Sequence, residues 1–305
     1  TSDCETIPAS ELFAMEAGAE ERFRNLRLGY TETGGGADLR EAIASTYRHI
    51  KPDQIFVHAG AEEAILNFCL AVIERGDKVV VNVPCYQSLA EIPRALGAQV
   101  FPWQVRQAGG RWTLDSAELE SFLRQGARLV ILNMPHNPTG ALLTHEEFGR
   151  IVELCATSGA ILFMDEVYRL LECNPDRRLP AACDAYENAV SLNVLSKSPG
   201  LAGLRLGWLA TRRKDILEKI AIIKDYNTIC TSAPSEFLAT IAIRHLDTIV
   251  ARNRALCAAN LALLDDFFKR RPEFASWTAP EASSIAFPHL APESMRLVGM
   301  PGQTP

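Results

Sequence analysis

RLVILNMPHNPTGALLTHEEFGRIVELCATSGAILFMDEVY, residues 128–168, decides the fold. Residues 128–133 (RLVILN) read as a strand. Asn137-Pro138-Thr139-Gly140 is a turn sequence. Thr144-x-x-Glu147 then matches the capping pattern that starts a helix, expected over 144–158. AILFM, 160–164, reads as a second strand. Strand, helix and strand in succession make a βαβ unit with parallel strands.

Outward from this unit, further short apolar or β-branched runs lie at 54–58 (QIFVH), 78–83 (KVVVNV), 99–105 (QVFPWQV), 189–195 (AVSLNVL) and 206–210 (LGWLA). Stretches of helical length separate many of them, among them Glu62–Glu74, Gln87–Leu96 and Asp115–Leu123. The pattern predicts an α/β fold, a three-layer α/β/α domain around a mostly parallel seven-stranded sheet. After Arg213, Ile216–Lys224 and Ala233–Phe268 read as helices, the second broken near Asp247. In sheets of this kind ligands gather where the strands end, so the residues just after each strand carry the functional information.

The bulk composition narrows the function classes. The 305 residues are 48% hydrophobic and 22% charged, with net charge -6 and no Lys/Arg cluster. That suits a globular protein without general affinity for nucleic acid. No run of roughly 20 apolar residues marks a bilayer span, and the first residues do not resemble a signal peptide, so a cytoplasmic protein without a membrane partner is expected. The eight cysteines, Cys4, Cys69, Cys85, Cys155, Cys173, Cys183, Cys230 and Cys257, form no C-x-x-C pair. They are expected to be reduced, and with the histidines scattered no metal site is expected.

One constellation stands out at the ends of successive strands: Asn137-Pro138-Thr139-Gly140, then Asp165-Glu166-Val167-Tyr168, then Ser196-Lys197 followed by Gly203-Leu204-Arg205-Leu206-Gly207-Trp208. Singly, each piece has an ordinary explanation as a turn, a helix cap, a core tyrosine or a solvated lysine. In this order they converge on one cleft.

These motifs resemble the class I/II aminotransferases of pyridoxal 5′-phosphate (PLP) fold type I, over about Tyr30 to Ser235. The resemblance implies PLP as cofactor and Lys197 as the residue that forms the Schiff base and shuttles a proton, chemistry that suits a positioned, partly desolvated amine. It implies that Asp165 pairs with the pyridine nitrogen, since the cofactor withdraws electrons while that nitrogen stays protonated. It assigns Asn137 and Tyr168 to the 3′-oxygen and Tyr86 to stacking on the ring. For the phosphate it implies the amides of Gly60, Ala61 and Glu62 where a helix opens, with the side chains of Glu62 and Glu63 turned away. Arg205, eight residues after Lys197, matches the family's phosphate-binding arginine. Ser196 adds a hydroxyl; a second serine, common three residues before the lysine, is replaced here by Val194.

The segment Tyr30-Thr31-Glu32 through Leu39-Arg40 resembles a family segment whose tyrosine reaches the phosphate of the other subunit, so a homodimer with Tyr30 crossing the interface is expected. Tyr30, Thr31 and Glu32 are candidates for the side-chain pocket, where Glu32 would favour a basic substrate. The domains implied are residues 1–30, an N-terminal arm or partial small-domain segment; 31–250, the PLP-binding large domain; and 251–305, a partial, truncated C-terminal small α+β domain. Arg296 is the only arginine after Arg271, in a segment that does not match the family's carboxylate clamp.

The function expected from the resemblance is transfer of an amino group between an amino acid and a 2-oxo acid. Lyase, cyclase, decarboxylase or oxidase chemistry on the same cofactor is the alternative, followed by a non-catalytic PLP-binding relative. A nicotinamide-binding fold would need a G-x-G-x-x-G after an early strand, and the sequence has none.

Overall fold

Successive side chains of a strand point to opposite faces, and where both sets are apolar both faces must be covered. The computed structural model, which describes residues 6–291 and 294, shows this arrangement. Its helices are α1 (Ala9–Ala14), α2 (Ala19–Arg24), α3 (Ala37–Ala44), α4 (Ala61–Val72), α5 (Ser88–Ala95), α6 (Ser116–Arg124), α7 (His145–Ser158), α8 (Ala182–Ala185), α9 (Lys214–Lys224), α10 (Ala233–Arg244) and α11 (Leu246–Arg270). Its strands are β1 (Ile55–His58), β2 (Lys78–Val83), β3 (Gln99–Ala108), β4 (Arg111–Leu114), β5 (Leu129–Asn133), β6 (Ile161–Asp165), β7 (Ala189–Val194), β8 (Gly207–Thr211), β9 (Ala275–Ser276) and β10 (His289–Leu290).

The large sheet has the order β1-β8-β7-β6-β5-β2-β3-β4, and β9 pairs with β10 in a small antiparallel sheet. Strands β3, β2, β5, β6 and β7 are parallel, and β8 runs against both β7 and β1. The seven expected strands form this sheet together with an eighth, β4. Gly109 and Gly110, both at positive φ, turn the chain from β3 back into β4. Of β4 only Trp112 is buried, so its periodicity is faint in the sequence.

Odd residues of β5 and β6 (Leu129, Ile131, Ile161, Phe163) pack with Phe68 of α4 and Ile216 and Ile220 of α9. Even residues (Val130, Leu132, Leu162, Met164) pack with Leu119 of α6 and Phe148 and Ile151 of α7. Helices α3 and α10 form a third apolar cluster with Val57 and Trp208. The expected capping box is formed: Glu147 N–H donates to Thr144 Oγ1 at 3.1 Å and Thr144 N–H to Glu147 Oε2 at 2.7 Å. Gly159 closes α7 in the left-handed conformation, at φ 72°. The expected break in the last helical stretch falls at His245, and α11 runs unbroken across residues 250 and 251. Cys4 and Arg296 lie outside the described residues. The seven described cysteines are free thiols, and no helix among these residues is long and apolar enough to cross a membrane.

Candidate active site

Strand direction gathers the site. β1, β2, β5, β6 and β7 all end on one edge of the sheet, and β8 begins there. On that edge Gly60 follows β1, Tyr86 follows β2, Asn137 follows β5, Asp165 ends β6, Lys197 follows β7 and Arg205 precedes β8. The register fixes neighbours, with Asn133 opposite Asp165, Asp165 opposite Leu192, and Gly207 opposite both His58 and Val194. Asp165, Tyr168, Lys197, Asn137, Gly60, Ala61, Glu62, Tyr86, Ser196 and Arg205 are thereby brought to a common edge.

Asp165 is 3% exposed, and Val167 N–H donates to its Oδ1 at 3.2 Å. Burial is the main cause that pushes its carboxyl up to about 7; Glu166 adds to the rise, while the Val167 amide and Lys197 oppose it. A cation placed beside this buried acid would favour its charged form. Lys197 Nζ lies 5.8 Å from the centroid of the buried Tyr168 ring, within the range of a cation–π contact. Ser196 is buried beside it.

The N-terminus of α4 forms a cradle. Amides in the first turn of a helix have no intrahelical acceptor and carry the positive end of the dipole. Gly60 caps α4 at φ 96°, and an added Cβ would lie 2.7 Å from the Arg205 guanidinium. The guanidinium therefore sits directly against the turn. Both glutamate side chains are turned to other partners. Glu62 Oε1 accepts from Tyr86 Oη at 3.0 Å and Ser88 Oγ at 2.6 Å, and Glu63 accepts from Ala59 N–H. Burial and the Glu62 carboxylate raise the Tyr86 phenol above its ordinary range. Gly60→Ala is expected to weaken phosphate-dependent cofactor binding roughly tenfold or more, because it combines a strained φ with a clash against Arg205. Titration of the apoprotein with cofactor, followed by visible absorbance, measures this.

Three supporting residues escaped the sequence reading. Asn133 Nδ2 donates to the Asp165 carbonyl at 3.1 Å, Asn82 Oδ1 accepts from Asn133 N–H at 2.9 Å, and Asn133 Oδ1 accepts from Asn137 N–H at 2.7 Å. The ends of β2, β5 and β6 are thus stitched behind Asn137. His136 is fully buried, 2.7 Å from both Thr139 Oγ1 and the Pro84 carbonyl, and burial lowers its pKa to about 4. As a neutral ring it ties the Tyr86 loop to the Asn137 turn. The available signal was an asparagine closing or interrupting each otherwise apolar strand, KVVVNV and RLVILN.

Tyr30 is 89% exposed and lines a surface hollow with Leu28 and residues 230–233. Thr31 Oγ1 donates to the Thr231 carbonyl at 2.9 Å. Glu32 pairs with Arg40 at 2.6 Å, so its charge is already matched within the loop.

A cofactor with an aldehyde, a basic ring nitrogen and a phosphate fits these groups: an amine at Lys197, a buried acid at Asp165 and a cradle between α4 and Arg205. The family model for class I and II aminotransferases matches residues 12–298. Capreomycidine synthase of Streptomyces vinaceus is 32% identical over 217 residues, 71% of this chain and 55% of the relative. A PLP-dependent aminotransferase from Streptococcus suis superposes with a TM-score of 0.88 at 30% identity, covering 95% of this chain and 77% of the other. The PLP-dependent cyclase OrfR superposes at 0.90 with 29% identity, covering 99% and 78%. The chain spans about half the length of the curated relatives it matches.

Proposed function

The chain belongs to the class I and II aminotransferases, and from that premise we propose that it transfers an amino group between an amino acid and a 2-oxo acid, with Lys197 joined covalently to pyridoxal 5′-phosphate. That cofactor is the family's, and when bound it supplies an electron sink for the bonds at the substrate Cα. The observation that carries the reading is the buried Asp165 carboxyl on the sheet edge that also bears Lys197. Asp165, as a carboxylate, holds positive charge on the ring nitrogen. Lys197 accepts and returns the Cα proton through its amine, from a position over the Tyr168 ring. Asn137 and Tyr168 donate hydrogen bonds to the phenolic oxygen, and Tyr86 packs on the ring face. The α4 amides, Ser196 and Arg205 hold the phosphate. Residues 31–250 carry the groups proposed to hold the cofactor, apart from Tyr30.

The partner we propose is a second copy of the chain. Leu28, Tyr30 and Tyr226 are 79%, 89% and 90% exposed, large apolar side chains that association would cover, and Leu28 and Tyr30 line one hollow. Tyr30 then reaches the partner's cradle. Sedimentation of the wild type is expected to give a dimer. Leu28→Asp with Tyr226→Asp should give a monomer with weaker cofactor binding; an unchanged dimer removes this face from the interface.

Cyclase chemistry is a second reading, favoured by the names of capreomycidine synthase and OrfR among the similar proteins. A donor screen separates the two. A transaminase forms one oxo acid and one new amino acid only when a 2-oxo acid acceptor is supplied. A cyclase consumes its substrate without an acceptor.

A further inference from the structure

We infer that Glu63 is a positioning residue for the phosphate cradle, with Lys224 as its counter-ion, an inference that rests on the PLP reading of the site. The turn His58-Ala59-Gly60 aims the first amides of α4 and seats Gly60 against Arg205. Two bonds hold it. Gly60 N–H donates to the His58 carbonyl at 2.8 Å, and Ala59 N–H donates to Glu63 Oε2.

Glu63 stands in the first turn of a helix whose N-terminus must receive a dianion, where a free carboxylate would repel it. The structure resolves this conflict locally. Lys224, at the end of α9, is completely buried, with Nζ 3.2 Å from Glu63 Oε2 and 3.1 Å from Thr228 Oγ1. Thr228 donates its hydroxyl to Glu63 Oε1. Asn227 Nδ2, donating to Asn67 Oδ1 at 2.7 Å, closes the same loop onto α4. His58, also fully buried, lies against the pair, its Nδ1 3.1 Å from the Phe56 carbonyl and its Nε2 without a hydrogen-bond partner among the described residues. Glu63 thus acts twice: it accepts from the amide that fixes the turn, and its charge is cancelled from behind rather than facing the phosphate.

Deleting one member of a buried ion pair leaves the other uncompensated and destabilises the fold, so both are changed together. Glu63→Gln with Lys224→Met keeps an acceptor for Ala59 N–H; Glu63→Ala with Lys224→Met removes it. Each apoprotein is titrated with PLP and with pyridoxal, which lacks the phosphate, by visible absorbance, and its thermal unfolding is recorded. The Ala variant is expected to bind PLP roughly twofold to tenfold more weakly than the Gln variant, the range of a lost hydrogen bond between neutral groups. Pyridoxal affinity should be the same in both. Equal loss for the two vitamers, or a Gln variant as weak as the Ala variant, overturns the positioning role, as does an Ala variant that binds PLP like wild type. Wild-type protein that develops no cofactor absorbance refutes the site reading instead.

Discussion

Lys197→Ala is expected to lose the visible absorbance of covalently held cofactor and to lower amino-group transfer at least roughly 10^3-fold, the scale of removing a positioned proton-transfer group. Two functions converge on the one amine, attachment and movement of the Cα proton; the Lys224 amine, behind the turn after β1, is tied to Glu63 and Thr228 instead. The cradle of α4 and Arg205 is untouched, so the variant should still bind the cofactor through its phosphate, without covalent attachment. Absorbance and turnover measured on the same preparation separate the two losses. Activity within tenfold of wild type would contradict the assignment.

Asp165→Asn should raise stability and destroy activity together. The carboxyl is raised from 3.8 to about 7, chiefly by burial. Between those values the folded chain retains a proton that the unfolded chain has released, so apoprotein stability falls as pH rises through the window. The penalty is complete above about 7, and reaches at most about 4 kcal/mol. Asparagine keeps the acceptor for Val167 N–H and carries no charge, so the apo variant should melt higher than wild type at about pH 8 and alike at about pH 4. Turnover should fall roughly 10^2- to 10^3-fold, because a neutral amide does not hold positive charge on the ring nitrogen. A variant as active as wild type, or no more stable at the higher pH, refutes the role of this carboxyl.

Much of the fold was legible because burial on both faces writes an unmistakable signal. β5 and β6 are uninterrupted apolar runs, and the capping box of α7 is spelled out by Thr144 and Glu147. β4 was missed because one buried tryptophan sets no period. At the site, the shared placement of Lys197, Asp165 and Arg205 was legible because each stands at a strand end, where topology turns order along the chain into proximity, whereas their roles are what the family resemblance implies. Asn133 and His136 were not, since a buried amide or imidazole is identified by partners distant in sequence, such as Asn82 and Pro84. Glu63 was read only as a charge to be kept out of the way, and Lys224 as an ordinary helix residue, because nothing local announces that 161 residues of chain bring them together. Glu32 pairs with Arg40, a partner that the sequence alone does not assign to it.

The covalent anchor can be tested directly by reducing the cofactor-loaded protein with borohydride, digesting it and locating the pyridoxyl group by peptide mass spectrometry. The expected result is one modified peptide, carrying the label on Lys197. Label on a different lysine, or a protein that takes up none under conditions that label a known PLP enzyme, would contradict the account.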